Sequence, residues 1–197
     1  GSVVVRPSLT VGGGYTTNAT ARFNGTGSAM LGVAGSLLAA TDWGRHGASA
    51  FISFDNLNYL SFPSQSATSW TGAVGGTVDI GRDKLVLAAA HLDLYQTART
   101  LDGLPLDRPG RYVINNARVA YTHDMGRVSL TPGLAVSDVH YDDVYAAGRR
   151  VGQQYRNGTT YDGAMTARYE LAPLRNLVAE FRVVGFDDAG HQAGLPY

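Results

Sequence analysis

The residues best suited to acid–base or metal chemistry are five histidines: His46, His91, His123, His140 and His191. Two of them stand in patterns that suggest chemistry. His91 and Asp93 stand two apart, so on a strand they share a face, and such a carboxylate can orient an imidazole for proton transfer. His140-Tyr141-Asp142-Asp143 gathers nitrogen and oxygen donors that suit a divalent cation. A polar strand face and an ordinary polar loop contain the same residues, and those plainer readings are preferred. A lipid-modifying enzyme would need His91 or His140. No HExxH zinc helix and no Gly-x-Ser-x-Gly nucleophile turn occurs. Gly12-Gly13-Gly14 lacks the Lys-Ser/Thr pair and the helix of a phosphate loop. Cysteine is absent, which removes thiol catalysis, cysteine–zinc sites and a disulfide framework. The expectation is a protein without enzymatic activity, cofactor or resident metal.

Arginine supplies nearly all the positive charge. Lys84 is the single lysine among sixteen basic residues, balanced by sixteen acidic ones. Net charge near zero argues against nucleic acid as a partner. Two polar stretches concentrate guanidinium groups. The stretch 144–158 holds Arg149, Arg150 and Arg156 with Tyr145, Tyr155 and two glutamines. Guanidinium with tyrosine can hold anionic or carbohydrate ligands by hydrogen bonding and stacking, so Arg149, Arg150, Tyr155 and Arg156 are the loop ligand candidates. The stretch 98–110 brings Arg99 and Arg108, with Arg111 just beyond it, beside Asp102 and Asp107.

The elements that must position these residues follow a period of two. Trp70, Val74, Val78 and Ile80 share one parity, with Gly72 and Gly76 between them. Thr71, Ala73, Gly75, Thr77 and Asp79 take the other. A strand sends alternate side chains to opposite faces, so each such segment has an apolar and a small or polar face. The pattern predicts about nine strands, near 4–15, 28–41, 48–60, 66–80, 84–97, 111–123, 127–141, 159–171 and 176–187. In the fifth, Val86, Ala88, Ala90, Leu92 and Leu94 read as the apolar parity, which sends His91 and Asp93 to the polar one. The tail 187–197 does not read as a strand. Four connectors are tight, at 41–47, 81–83, 123–126 and 172–176, each with the Gly, Pro, Asp or Asn that turns use. The other four, near 16–27, 61–65, 98–110 and 142–158, are long. Long and short alternate along the chain, so one end of an antiparallel meander carries turns and the other carries loops.

Segments of roughly 10–14 residues exceed the usual soluble strand of ~5–6 and suit a tilted bilayer crossing of ~9–11. With 197 residues, 44% hydrophobic and 16% charged, one domain over 1–197 is expected, and no apolar run is long enough for a membrane helix. No leader peptide is expected from the opening Gly1-Ser2-Val3-Val4-Val5. Aromatics near segment ends, among them Tyr15, Trp43, Trp70, Tyr112, Tyr121 and Tyr169, are candidates for interfacial girdles. The fold class expected is all-β, an antiparallel up-and-down transmembrane β-barrel with about eight or nine strands. The apolar parity then faces lipid, and its small residues, Gly72, Gly76, Ala88, Ala90, Ala117, Ala167 and Ala179, need no jigsaw packing. Asp79, His91, Asp93, Arg118, Arg168, Glu170, Glu180 and Arg182 become lumen-lining candidates. The alternative is a soluble β-sandwich binding carbohydrate. A barrel in lipid must close, usually on an even strand number. An eight-strand barrel fits the length, but nine segments favour part of a larger one.

The order of features resembles the putative beta-barrel porin type 2 family of bacterial outer-membrane proteins. The resemblance starts at Arg6-Pro7-Ser8-Leu9-Thr10-Val11-Gly12-Gly13-Gly14-Tyr15-Thr16-Thr17-Asn18, a Pro-led strand ending in Tyr-x-x-Asn. It continues through Asp42-Trp43-Gly44-Arg45-His46, Gly81-Arg82-Asp83, Tyr95 and Gly126-Arg127-Val128-Ser129-Leu130. Tyr141-Asp142-Asp143, Tyr161-Asp162 and Arg168-Tyr169-Glu170-Leu171-Ala172-Pro173 follow. It covers most of the chain, on turn and girdle residues shared by many barrels. The resemblance implies an outer-membrane location, a larger barrel than nine strands, and no catalytic residues. It also implies a non-enzymatic role as a porin-like pore or as a scaffold associated with surface or extracellular polysaccharide. The partners implied are outer-membrane lipid, polysaccharide and other envelope proteins.

Overall fold

The computed structural model describes residues 1–20, 24–96, 100–101 and 104–188. His191, Arg99 and Asp102, singled out above, lie outside the described residues, as does the tail beyond 188. Nine long strands make one antiparallel sheet: β1 (Ser2–Thr16), β2 (Ser28–Asp42), β3 (Gly47–Tyr59), β4 (Ala67–Ile80), β5 (Asp83–Tyr95), β8 (Arg111–Asp124), β9 (Val128–Tyr141), β12 (Gly158–Ala172) and β13 (Arg175–Asp188). Neighbours in sequence are neighbours in space. Two small hairpins sit in the connectors, β6 (Thr100–Leu101) with β7 (Leu104–Pro105), and β10 (Val144–Ala146) with β11 (Arg149–Val151). The long strands run 13 to 15 residues, and each expected segment is present within about two residues. β1 and β13 do not pair, so the sheet is open among the described residues.

Turn chemistry explains the short connections. Gly81 and Gly126 take positive φ, of 67° and 94°, which glycine adopts without a Cβ clash. The β12–β13 turn uses Leu174 at φ 65° instead, with its side chain fully exposed. An L-residue there carries roughly 1 kcal/mol of backbone strain and gains nothing from burial. Leu174→Gly should therefore raise stability by about 0.5–1 kcal/mol, the gain being trimmed by the greater freedom of glycine in the unfolded chain. A shifted urea midpoint with unchanged slope is the expected readout.

The register fixes which side chains share a face. One ladder row crosses all nine strands through Val5, Ala39, Ala50, Val74, Ala89, Ala117, Val136, Tyr161 and Gly185. Its face also carries Leu9, Leu37, Ile52, Phe54, Leu87, Val119, Leu134, Met165 and Phe181, all substantially exposed. A continuous apolar face of this size is far beyond the few hundred Å² that a soluble monomer shows. The buried apolar residues among those described are Ala19, Tyr59, Leu106, Val144 and Ala146, all at the loop end. No second sheet lies over the apolar face in the described residues.

The apolar belt runs obliquely to the ladder rows. On β1 it spans Val3 to Tyr15, centred on Leu9, four residues to the loop side of the row through Val5 and Gly185. On β13 it spans Leu177 to Gly185, centred on Phe181, four residues to the turn side. The belt thus shifts about one residue per strand. At about 3.4 Å per residue and about 4.8 Å between strands, that is a slant of roughly 35°.

One expectation is corrected by the register. His91 and Asp93 lie on the apolar face, in rows with Gly72 and Trp70, and not with Asp79 and Arg118. On β5 the apolar face takes Leu85, Leu87 and Ala89, and Ala88 and Ala90 point to the other side. Both parities of this strand are apolar for most of its length, so alternation alone does not orient it, and the neighbouring strands do. Asp79, Arg118, Arg168, Glu170, Glu180 and Arg182 do share the polar face.

Candidate functional site

The polar face is lined mostly by small residues, including Ser36, Ser53, Thr71, Gly75, Gly133 and Ala164. Its charges are spread over several strands. Arg182 forks onto Asp162 of the adjacent strand, and Lys84 lies 3.9 Å from Asp79. At the turn end Asp83 accepts from Tyr121 and the Asp124 amide, and meets His123 Nδ1 at 3.0 Å.

The aromatic candidates divide by position. Tyr15 and Trp70 stand on the apolar face towards the loop end, Tyr121 and Tyr169 on the same face at the turn end, and Trp43 in the β2–β3 turn. Tyr112 differs: it lies on the polar face and stacks on Tyr141, ring centroids 5.3 Å apart. Its place near a strand end suggests a girdle, but the parity of β8 puts it on the polar face.

The most structured polar site is at the loop end. Arg111 is the first residue of β8, where the predicted strand 111–123 begins. Its guanidinium donates to both carboxylate oxygens of Asp93 at 2.7 Å and to Asp142 Oδ2 at 2.9 Å. The Asp142 amide donates back to the Arg111 carbonyl at 3.0 Å. This clamp ties β5, β8 and the residue just past β9 where the loops begin. Above it, Leu106, Val144 and Ala146 form a small dry cluster with Val151 against it. Leu106 bridges to Ala146, the Asp107 amide donates to the Tyr145 carbonyl at 2.8 Å, and Gln65 Nε2 donates to the Asp107 carbonyl at 2.8 Å. Three successive loops are thereby joined into one cap.

Two guanidinium groups in the cap rest on tyrosine rings. Arg156 lies 3.8 Å above Tyr141 and donates to Gln153 Oε1 at 3.1 Å. With its amide oxygen turned to the guanidinium, Gln96 accepts from Arg156 at 2.8 Å. Arg108 lies 4.4 Å above Tyr145. A cleft of about 460 Å³ opens between them, lined by Arg108, His140, Asp142, Asp143, Tyr145, Arg150 and others. Arg150 pairs with Asp143, and Gly148 donates to Asp107 Oδ2 at 2.7 Å. Of the loop ligand candidates, Arg150 lines the cleft and Arg156 buttresses it from behind Tyr141. Arg149 and Tyr155 are exposed outside it. Arg108 and Tyr145 are the additions, and an Arg-Tyr pair split across two loops leaves no local sequence signal.

The His140-Tyr141-Asp142-Asp143 run does not converge on one point. Asp142 turns to Arg111, Asp143 to Arg150, and His140 Nδ1 meets the Asn157 amide at 3.0 Å. Among the described residues no three His, Cys, Asp or Glu side chains are grouped to hold a metal ion. His91 Nδ1 faces Asn115 Oδ1 at 2.7 Å, and its ring lies 4.8 Å from that of Trp70. Asp93 is held by Arg111 and is not directed at His91.

These features define a class: an up-and-down antiparallel sheet, apolar on one face and small and polar on the other, with its loops knitted together at one end. The chain belongs to the family described as putative beta-barrel porin 2, whose model matches residues 1–184. No curated protein and no solved structure matches it.

Proposed function

We propose that the nine strands are wall of a β-barrel in a bacterial outer membrane, forming a porin-like pore without enzymatic activity. The observation that carries this reading is the slanted apolar belt. Its roughly 35° slant equals the strand tilt at which the belt lies level in a bilayer, within the ~35–45° of membrane barrels. At that tilt the runs Tyr161–Leu171 on β12 and Leu177–Gly185 on β13 cover about 28 and 22 Å of membrane normal, close to the ~25 Å apolar band of such barrels. Tyr15, Trp70 and Tyr161 mark one edge of the belt, and Tyr121 and Tyr169 the other. The polar face, small in side chains and bearing Arg118 and Arg168, then lines the lumen.

Closure follows from strand direction. β1 and β13 both run from the turn end to the loop end. Joining them directly would make a parallel pair, so antiparallel closure takes an odd number of further strands. The ordered arginine–tyrosine cap favours a surface role in which the barrel also contacts polysaccharide.

Cell fractionation and gel migration test the reading. The protein should be recovered with the outer membrane and migrate differently before and after boiling, and in planar bilayers it should produce stepwise conductance. A protein that stays soluble without detergent and migrates identically in both states sinks the proposal.

A further inference from the structure

We infer that the loop-end cleft is a binding site for an acidic saccharide, a sugar ring carrying a carboxylate, recognised by Arg108 and Tyr145. The argument begins with how the charges are spent. Arg111 is committed to Asp93 and Asp142, and Arg150 to Asp143. Asp107, next in sequence to Arg108, turns one carboxylate oxygen to the Gly148 amide. Arg108 meets no carboxylate among the described residues, and its guanidinium lies over the Tyr145 ring. A guanidinium that has no carboxylate partner keeps N–H groups to donate, and its planar fork takes a carboxylate by two parallel hydrogen bonds.

The rest of the cleft suits the hydroxyls of a sugar. Asp142 has one oxygen outside its Arg111 bond, 4.0 Å from His140 Nε2, and Gln154 adds an amide with both donor and acceptor. Tyr145, half-buried in the hairpin β10–β11, lines the cleft beside Arg108 and adds aromatic surface to it. The volume, about 460 Å³, holds one or two sugar rings. The groups are held before any ligand arrives. Tyr145 is anchored through its carbonyl to Asp107, Asp142 by Arg111, and Asp143 by Arg150 and the Gln153 amide. Such preorganisation reduces the ordering cost of binding. A bare anion would use Arg108 alone and leave the aromatic and amide groups idle.

The site rests on the proposed barrel only in that its loop end would face the cell exterior; its residues come from the end of β9 and the loops of this chain. The test is calorimetric titration of the full chain in detergent micelles with three probes: a tetra-galacturonate, maltotetraose of equal length and inorganic phosphate. The uronate should bind, with maltotetraose at least tenfold weaker and phosphate weaker still. Arg108→Gln and Tyr145→Leu should each weaken uronate binding at least tenfold. The boiling-dependent gel shift reports whether each variant is folded, and Arg108 is exposed, so its replacement leaves the cap intact. Absence of uronate binding, equal affinity for maltotetraose, equal affinity for phosphate, or wild-type affinity in Arg108→Gln each overturns the inference. A normal gel shift with no uronate binding removes the site and leaves the barrel. Uronate binding by a chain with no gel shift does the reverse.

Discussion

Val119→Arg should lower folding stability in phospholipid vesicles by about 2–4 kcal/mol, while Ala120→Arg, one residue along, should cost less than about 1 kcal/mol. Val119 sits on the apolar face between Leu87 and Leu134, midway along the apolar run of β8 from Ala117 to Tyr121. A guanidinium there has no partner within the sheet, and at the level of the bilayer centre its desolvation is offset only by snorkelling and local thinning. Ala120 points to the other face, between Val86 and Gly133, where Gly133 leaves room and Arg118 and Thr122 are the polar neighbours along the strand. In the water-filled lumen of the proposed barrel the new charge stays hydrated. Equilibrium urea titrations of vesicle-folded protein, followed by tryptophan fluorescence, measure both. Equal costs would remove the assignment of faces, and a larger cost at Ala120 would turn the wall inside out.

The contrast between these neighbours also shows what the sequence makes legible. The nine strands and all four tight turns are read correctly because long strands repeat their alternation many times, and because Gly81, Gly126 and Pro173 punctuate them. Where alternation is strong, as at Trp70, Val74 and Val78, the face follows at once. On β5 it does not: Leu85 and Val86, then Leu87 and Ala88, are apolar on both parities, so the placement of His91 and Asp93 depends on pairing with β4 and β8, which no local pattern encodes. The cap is a harder case. Its hairpins are two or three residues long, too short for any period, and the bonds that hold it span 18 positions from Arg111 to Asp93 and 31 to Asp142. Arg150 and Arg156 were visible as a cluster of type, but their roles differ: one pairs with a carboxylate at the cleft, and the other braces a tyrosine from behind.

The cap's independence from the wall is open to a direct test. Leu106→Ala should cost about 2–3 kcal/mol, and the loss should be confined to the cap. Leu106 is 1% exposed and, among the described residues, is the largest apolar side chain buried to that degree. Truncation to alanine removes its contacts with Val144 and Ala146 and leaves a cavity in a cluster of few residues, which partly collapses and holds the cost to the lower part of the Leu→Ala range. The nine-strand sheet does not draw on this cluster, because its ladders are complete below the loops. Opening of the cap should therefore rise about thirtyfold or more while the wall stays folded. Limited proteolysis within 142–157 should accelerate by that factor, and amide exchange at Asp107, whose N–H donates to Tyr145, should follow it. The boiling-dependent gel shift should be unchanged. A parallel fall in the stability of the whole molecule would mean that the loops are part of one cooperative unit with the strands, and that Arg111, which joins Asp93 of the wall to Asp142 of the cap, transmits the loss between them.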